Sequence, residues 1–177
     1  MAKSRSGGFG NIPFISTLEV EALSAGHIRI RVYEKTIVGY VSYMGTNLYF
    51  DKDGMVVESS TEVLDGVPQI SGLKFSEVTL YEQLPVSKPD VFRIILNLTQ
   101  ALDKNDVHPD RIAFADNLSI TLWFGEARVL FGTEDMMDEK IANLASFVDD
   151  LKERKGTLHM ENFTEDTQNL IFDGDDG

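Results

Sequence analysis

The chain has 177 residues, 42% of them hydrophobic and 10% aromatic, with 16 basic against 29 acidic side chains and a formal charge of −13. That is enough apolar material for one good core, and too acidic a balance for a nucleic-acid binder, since nothing offsets repulsion from phosphate. There is no cysteine, which excludes disulfides, thiolate metal sites and cysteine nucleophiles together.

Residues 1–11, MAKSRSGGFGN, are polar and glycine-rich and read as a flexible lead. No signal-peptide pattern opens the chain, and no apolar run approaches the roughly 18 residues that cross a bilayer. Thr17-Leu-Glu-Val-Glu-Ala22 and His27-Ile-Arg-Ile-Arg-Val-Tyr33 alternate apolar with polar side chains, the period of half-buried strands. Ser24-Ala25-Gly26 turns between them. Strands are also expected at 37–44, 47–50 and 55–58, the last two flanking Asp51-Lys-Asp53-Gly54. This is not an EF-hand loop, because there the glycine comes sixth and an acid twelfth, whereas here glycine follows the second aspartate directly. Two acids at an exposed tip both stay ionised and cannot divide acid and base roles. Asp-Gly between apolar strands is a hairpin turn, glycine accepting positive φ at no steric cost.

Residues 59–88 contain Gly66, Pro68, Gly72 and Pro85 and read as a connection, with one short strand at 77–81. Ser87-Lys-Pro-Asp90 predicts a helix start with serine as the cap. Val91, Ile94, Ile95, Leu98 and Leu102 then repeat at helical spacing, carrying the helix to Asp103. Strands follow at 111–115, 119–124 and 128–131, with Gly125-Glu126 as a two-residue hairpin loop. Glu134, Asp135 and Asp138 open a second helix whose apolar face is Met137, Ile141, Leu144, Val148 and Leu151. Lys152-Glu-Arg-Lys155 complements its C-terminal dipole and Gly156 ends it. Residues 157–163 and 169–172 predict a terminal strand pair, and 173–177 a disordered acidic tail. The order of elements implies an α+β fold, a mainly antiparallel β-sheet with two helices packed on one face.

Residues with chemistry are sparse. His27, His108 and His159 lie on separate elements with no metal-pair spacing. No nucleophile elbow, phosphate loop or dinucleotide fingerprint occurs. The residues thus assign no catalytic, metal or cofactor site. In Thr157-Leu-His-Met-Glu-Asn-Phe163, strand alternation puts Leu158 and Met160 on one face and His159, Glu161 and Phe163 on the other, so Phe163 is expected to face away from the core. In Asn169-Leu-Ile-Phe172, Ile171 opposes Leu170 and Phe172. A terminal strand of this kind at a sheet edge either adds a partner strand or is covered by a neighbouring loop.

Several segments, in this order, resemble the bacterial division protein family FtsQ/DivIB. Val32-Tyr-Glu34-Lys-Thr-Ile-Val38-Gly-Tyr40 is similar to that family's Val-x-Glu-Arg-x-Pro-Val-Ala stretch, with Ile37 for the proline and Gly39 for the alanine. Tyr49-Phe-Asp51-Lys-Asp53-Gly54-Met-Val-Val57 resembles its Tyr-Leu-Ile-Asp-x-x-Gly-x-Val hairpin, and Val67-Pro68-Gln-Ile70-Ser-Gly72 its Leu-Pro-x-Leu-x-Gly turn. The closing Leu-Asp-Leu-Arg-like strand stands here as Leu158-His-Met-Glu161, without the arginine. The resemblance implies a partial POTRA hairpin over 12–35, able to extend the sheet of a β domain over 36–172. It also implies a full-length protein anchored by one N-terminal membrane helix absent from this sequence, with this region on the extracytoplasmic side at the division septum. The implied function is a non-enzymatic divisome scaffold, without cofactors, that binds FtsB/DivIC-like and FtsL-like partners and so links division assembly to septal peptidoglycan synthesis. The partner site it implies, a strand docked by β-addition, falls on Phe163 and on Thr167, Gln168, Asn169, Leu170, Ile171 and Phe172. A secreted module for cell-wall polysaccharide, suggested by outward aromatics Trp123 and Phe163, is the alternative. A hydrolase using Asp116 and Glu126 has no supporting motif.

Overall fold

The computed structural model describes residues 14–175. The reading of residues 1–11 as a flexible lead lies outside the described residues, as does the end of the acidic tail.

Two strands, β1 (Ile15–Ser24) and β2 (His27–Glu34), pair as an antiparallel hairpin. Its alternation sorts the side chains by face: Leu18 opposes Val32 and Val20 opposes Ile30, while Glu19 opposes Arg31 and Glu21 opposes Arg29. The polar face is laced by ion pairs, but the apolar face is bare, with Ile28 65% and Ile30 54% exposed. The hairpin does not extend the main sheet; it forms a two-stranded sheet of its own.

The main sheet has nine strands. In chain order these are β3 (Gly39–Tyr43), β4 (Thr46–Phe50), β5 (Val56–Ser60), β6 (Gln69–Ser71), β7 (Arg111–Phe114), β8 (Ile120–Phe124), β9 (Ala127–Gly132), β10 (Gly156–His159) and β11 (Ile171–Gly174). Across the sheet they lie β11-β10-β9-β8-β7-β6-β3-β4-β5. Helix α1 (Asp90–Lys104) joins β6 to β7, and α2 (Met137–Ala145) with α3 (Val148–Lys152) joins β9 to β10. Each helical crossover returns the chain to a strand parallel to the one it left. Both step the same way across the sheet from strands that point the same way, so right-handed crossovers put all three helices on one face. Val91, Ile95 and Leu98 of α1, Ile141 and Leu144 of α2 and Leu151 of α3 bury there against Ile70, Ile112, Leu122, Val129 and Leu158.

The main sheet is mainly antiparallel, as expected, although β3–β6, β6–β7 and β9–β10 are parallel. Other expectations are corrected. Among the described residues there are three helices: the second expected one breaks at Ser146, whose hydroxyl donates to the Asn143 carbonyl at 2.8 Å, a local bond that competes with helix continuation. The break still leaves Val148 and Leu151 facing the core. Residues 77–81 form no strand; Tyr81 turns there with φ 67° while its N–H donates to Val56 O. Strand β6 was missed instead, hidden in a segment read as a turn. Ser87 makes no cap, Pro89 occupying that position. Glu153 follows the last helical residue, and Gly156 begins β10 instead of ending a helix.

The turn at 51–54 is as expected. Asp51 Oδ1 accepts the N–H groups of Asp53 at 3.0 Å and Met55 at 2.9 Å, and Gly54 takes φ 76°. A Cβ there would also enter the Phe92 ring of α1, so this glycine fixes both the turn and its seat on the helix.

Candidate partner-docking edge

Alternation along β7 to β10 creates two different faces. Inward residues are aliphatic or phenylalanine; outward, a row runs Arg111, Trp123, Arg128, Thr157 and Asp173 across five strands. Arg111 lies over the Trp123 ring with its guanidinium carbon 4.4 Å from the centroid. Arg128 Nε donates to Thr157 Oγ1 at 2.8 Å. Trp123 is therefore already stacked on one side.

At the end of this row lies β11. It pairs antiparallel with β10, Leu158 opposite Phe172 and His159 opposite Ile171, and it is the last strand of the sheet. Phe172 turns to the core side with Leu170, and the Arg154 guanidinium sits 5.6 Å from the Phe172 ring. Ile171 points the other way and is 64% exposed. The strand thus has a seated face, an outward isoleucine and a free lateral edge, the arrangement that accepts another strand.

The seven residues expected to form the docking site are only partly brought together. Ile171 and Phe172 lie on β11, and Leu170 packs just before it. Gln168 and Asn169 are exposed and precede the strand. Thr167 is spent on a local turn, exchanging hydrogen bonds with Thr164. Phe163 is a correction: β10 ends at His159, Met160 N–H bonds Leu130 O, and the chain turns, so Phe163 swings back onto the core. The expected disordered tail is corrected too at 173–174, where Asp173 and Gly174 complete β11 opposite Thr157 and Gly156. Asp173-Gly174 carries no apolar signal, and its strand character comes from backbone pairing with Thr157 and Gly156.

His159 joins this edge. Its Nδ1 is 2.9 Å from Glu161 Oε1 and its Nε2 3.1 Å from Asp173 Oδ2. The bond to Glu161 lifts the imidazole above its ordinary value, partial burial opposes this, and Asp173 adds to the rise. His108 instead faces Asp106 and Asp103 at the surface. Among the described residues no group of three or more His, Asp or Glu side chains is placed to hold a metal ion. Among the described residues no helix is long and apolar enough to cross a membrane.

No family model matches the chain, and no curated protein does.

Proposed function

We propose that this chain is the extracytoplasmic β domain, with the closing hairpin of a POTRA domain, of a division scaffold of the FtsQ/DivIB kind. It is not an enzyme and uses no cofactor. Its role is to hold FtsB/DivIC-like and FtsL-like membrane partners at the septum by accepting a partner strand along β11. The observation that carries this reading is the free edge of β11, with Ile171 outward and Phe172 anchored beneath. The bare apolar face of the β1–β2 hairpin supports it as well, since the remaining elements of a POTRA domain would cover that face. Less supports the polysaccharide alternative: Arg111 covers one face of Trp123, and Phe163 packs against the core.

The test is Ile171→Pro, which removes the N–H that β11 turns toward His159 of β10 and so unseats the edge strand. Binding of the soluble region of a DivIC-like partner is expected to be lost, with the thermal midpoint of the remaining domain kept. Unchanged affinity overturns strand addition.

A further inference from the structure

His159 is held between two groups that both demand a proton from it. Ionised carboxylates only accept hydrogen bonds, and Glu161 and Asp173 occupy the two ring nitrogens. A neutral imidazole has one N–H and one bare nitrogen. It can satisfy one carboxylate, leaving the other facing a lone pair; only the imidazolium donates to both. The three residues belong to different parts of the edge: His159 to β10, Asp173 to β11, and Glu161 to the turn leaving β10.

We propose that His159 is a pH-operated latch on the edge strand, whose cation clasps Asp173 and pins β11 to β10, and whose neutral form releases that grip. Few other groups face the ring. From β9, Leu130 lies opposite His159, and Arg128 is engaged by Thr157. From β11, Ile171 lies opposite it beside Asp173. The connection between the two strands carries Glu165 and Asp166, both exposed. Arg154 stacks on Phe172, whose side chain points to the opposite face of β11.

Strand β11 is the natural target of such a device. It pairs through only four residues, on one side, and short edge elements open at low free energy. The sign follows from the raised imidazole value. The latch is fully present below about pH 6.5 and is lost as pH rises through the raised folded value. On the acid side burial pushes Glu161 up, but the His159 hydrogen bond and nearby backbone N–H groups outweigh it and hold the carboxyl low. Its share of the clasp therefore persists above the ordinary carboxylate range and disappears only as pH falls through the lowered folded value. The clasp is tight in mildly acidic solution and loose in alkaline.

Its consequence for partner docking rests on the strand-addition reading, but the latch is tested on the free protein. Native-state amide exchange is followed from about pH 5.5 to 8.5, corrected for intrinsic rates, with the His159 ring titrated by NMR in the same samples. Protection of residues 171–174 is expected to fall about tenfold as His159 loses its proton, while β8 and β9 stay unchanged. His159→Gln is expected to abolish the pH dependence. Asp173→Asn supplies an amide that can donate to a bare Nε2, and is expected to keep β11 protected at high pH. Protection that stays flat through the His159 titration overturns the latch. So does the wild-type fall appearing in either variant. A flat profile counts against the latch alone, and a failure of partner binding counts against strand addition alone.

Discussion

Lys35 Nζ stands 2.8 Å from Glu58 Oε2, and the same oxygen accepts the backbone N–H of Phe14 at 3.2 Å. One carboxylate on β5 thereby holds both ends of the N-terminal hairpin, Phe14 preceding β1 and Lys35 following β2. The Lys35 ammonium also donates to Val57 O at 2.8 Å, and Phe14 packs edge-on against the fully buried Tyr49. The hairpin is thus joined to the sheet through its base, although its strands pair with none of the sheet's.

This pair is buried enough to matter, with side-chain exposures of 13% for Lys35 and 8% for Glu58. Lys35→Ala leaves a buried carboxylate without its cation and is expected to cost about 3 kcal/mol, read as a lower urea midpoint at unchanged slope. Burial pushes Glu58 up, but the Lys35 bond and the N–H groups of Phe14 and Ser59 outweigh it and hold the carboxyl below 4.5. A lowered folded value gives stability that is present above the unfolded one and lost as pH falls through the folded one. The wild-type protein is therefore expected to weaken more steeply than Lys35→Ala on acidification below about pH 4.5.

Gly72 closes β6 with φ 83°, and a Cβ on it would run into the carbonyl oxygen of Phe114 on β7. Backbone has replaced side chain at this point, and neither neighbour can yield without breaking the β6–β7 pairing. Gly72→Ala is expected to cost about 3 kcal/mol or more, combining left-handed strain with the collision. Chemical denaturation of the variant checks this; a loss under about 1 kcal/mol would mean that β6 moves freely.

Much of this architecture could be read from residue patterns. The α1 helix is expected from Val91, Ile94, Ile95, Leu98 and Leu102, all of which are buried. The β7–β9 meander and the Asp51 turn are likewise expected, because both are governed by local alternation and turn chemistry. What escaped is non-local. Strand β6 has three residues and exists only because β3 and β7 flank it, so no periodicity announces it. The return of Phe163 to the core follows from a turn that alternation cannot foresee. At the β11 edge, Ile171 and Phe172 were legible as facing opposite ways, whereas Asp173 and Gly174 looked like tail. The clasp on His159 joins residues 14 positions apart, and nothing in either neighbourhood hints at the other.

Trp123 separates the two binding hypotheses in solution. A sugar ring would need a bare indole face, and Arg111 already occupies one at 4.4 Å, a contact worth about 0.5–1 kcal/mol where solvent reaches it. Titration with muropeptides is expected to leave tryptophan fluorescence flat, and since the chain has a single tryptophan the signal is unambiguous. Arg111→Ala should shift the emission maximum by itself, showing that the probe reports on this face. A saturable change in the wild-type protein would favour the glycan module over the scaffold.

Gly156 offers a way to remove the edge strand without touching its outward side chains. Its φ is 149°, and a Cβ would strike the carbonyl oxygen of Asp173 and crowd Gly174 and the Phe172 ring. All three belong to β11, and none to the helices or to β9, so Gly156→Ala pushes away the last strand and adds backbone strain of about 1–3 kcal/mol at the start of β10. The loss should then be local: Leu170 and Phe172 are only half-buried, and giving up part of their burial costs about 1–2 kcal/mol. Amide exchange at 171–174 is expected to approach unfolded rates while β7, β8 and β9 stay protected. Partner affinity should fall with it, because an added strand pairs with an ordered edge. Global unfolding of Gly156→Ala would instead make β11 part of the core's cooperative unit, and an edge so firmly bound would leave the His159 clasp nothing to regulate.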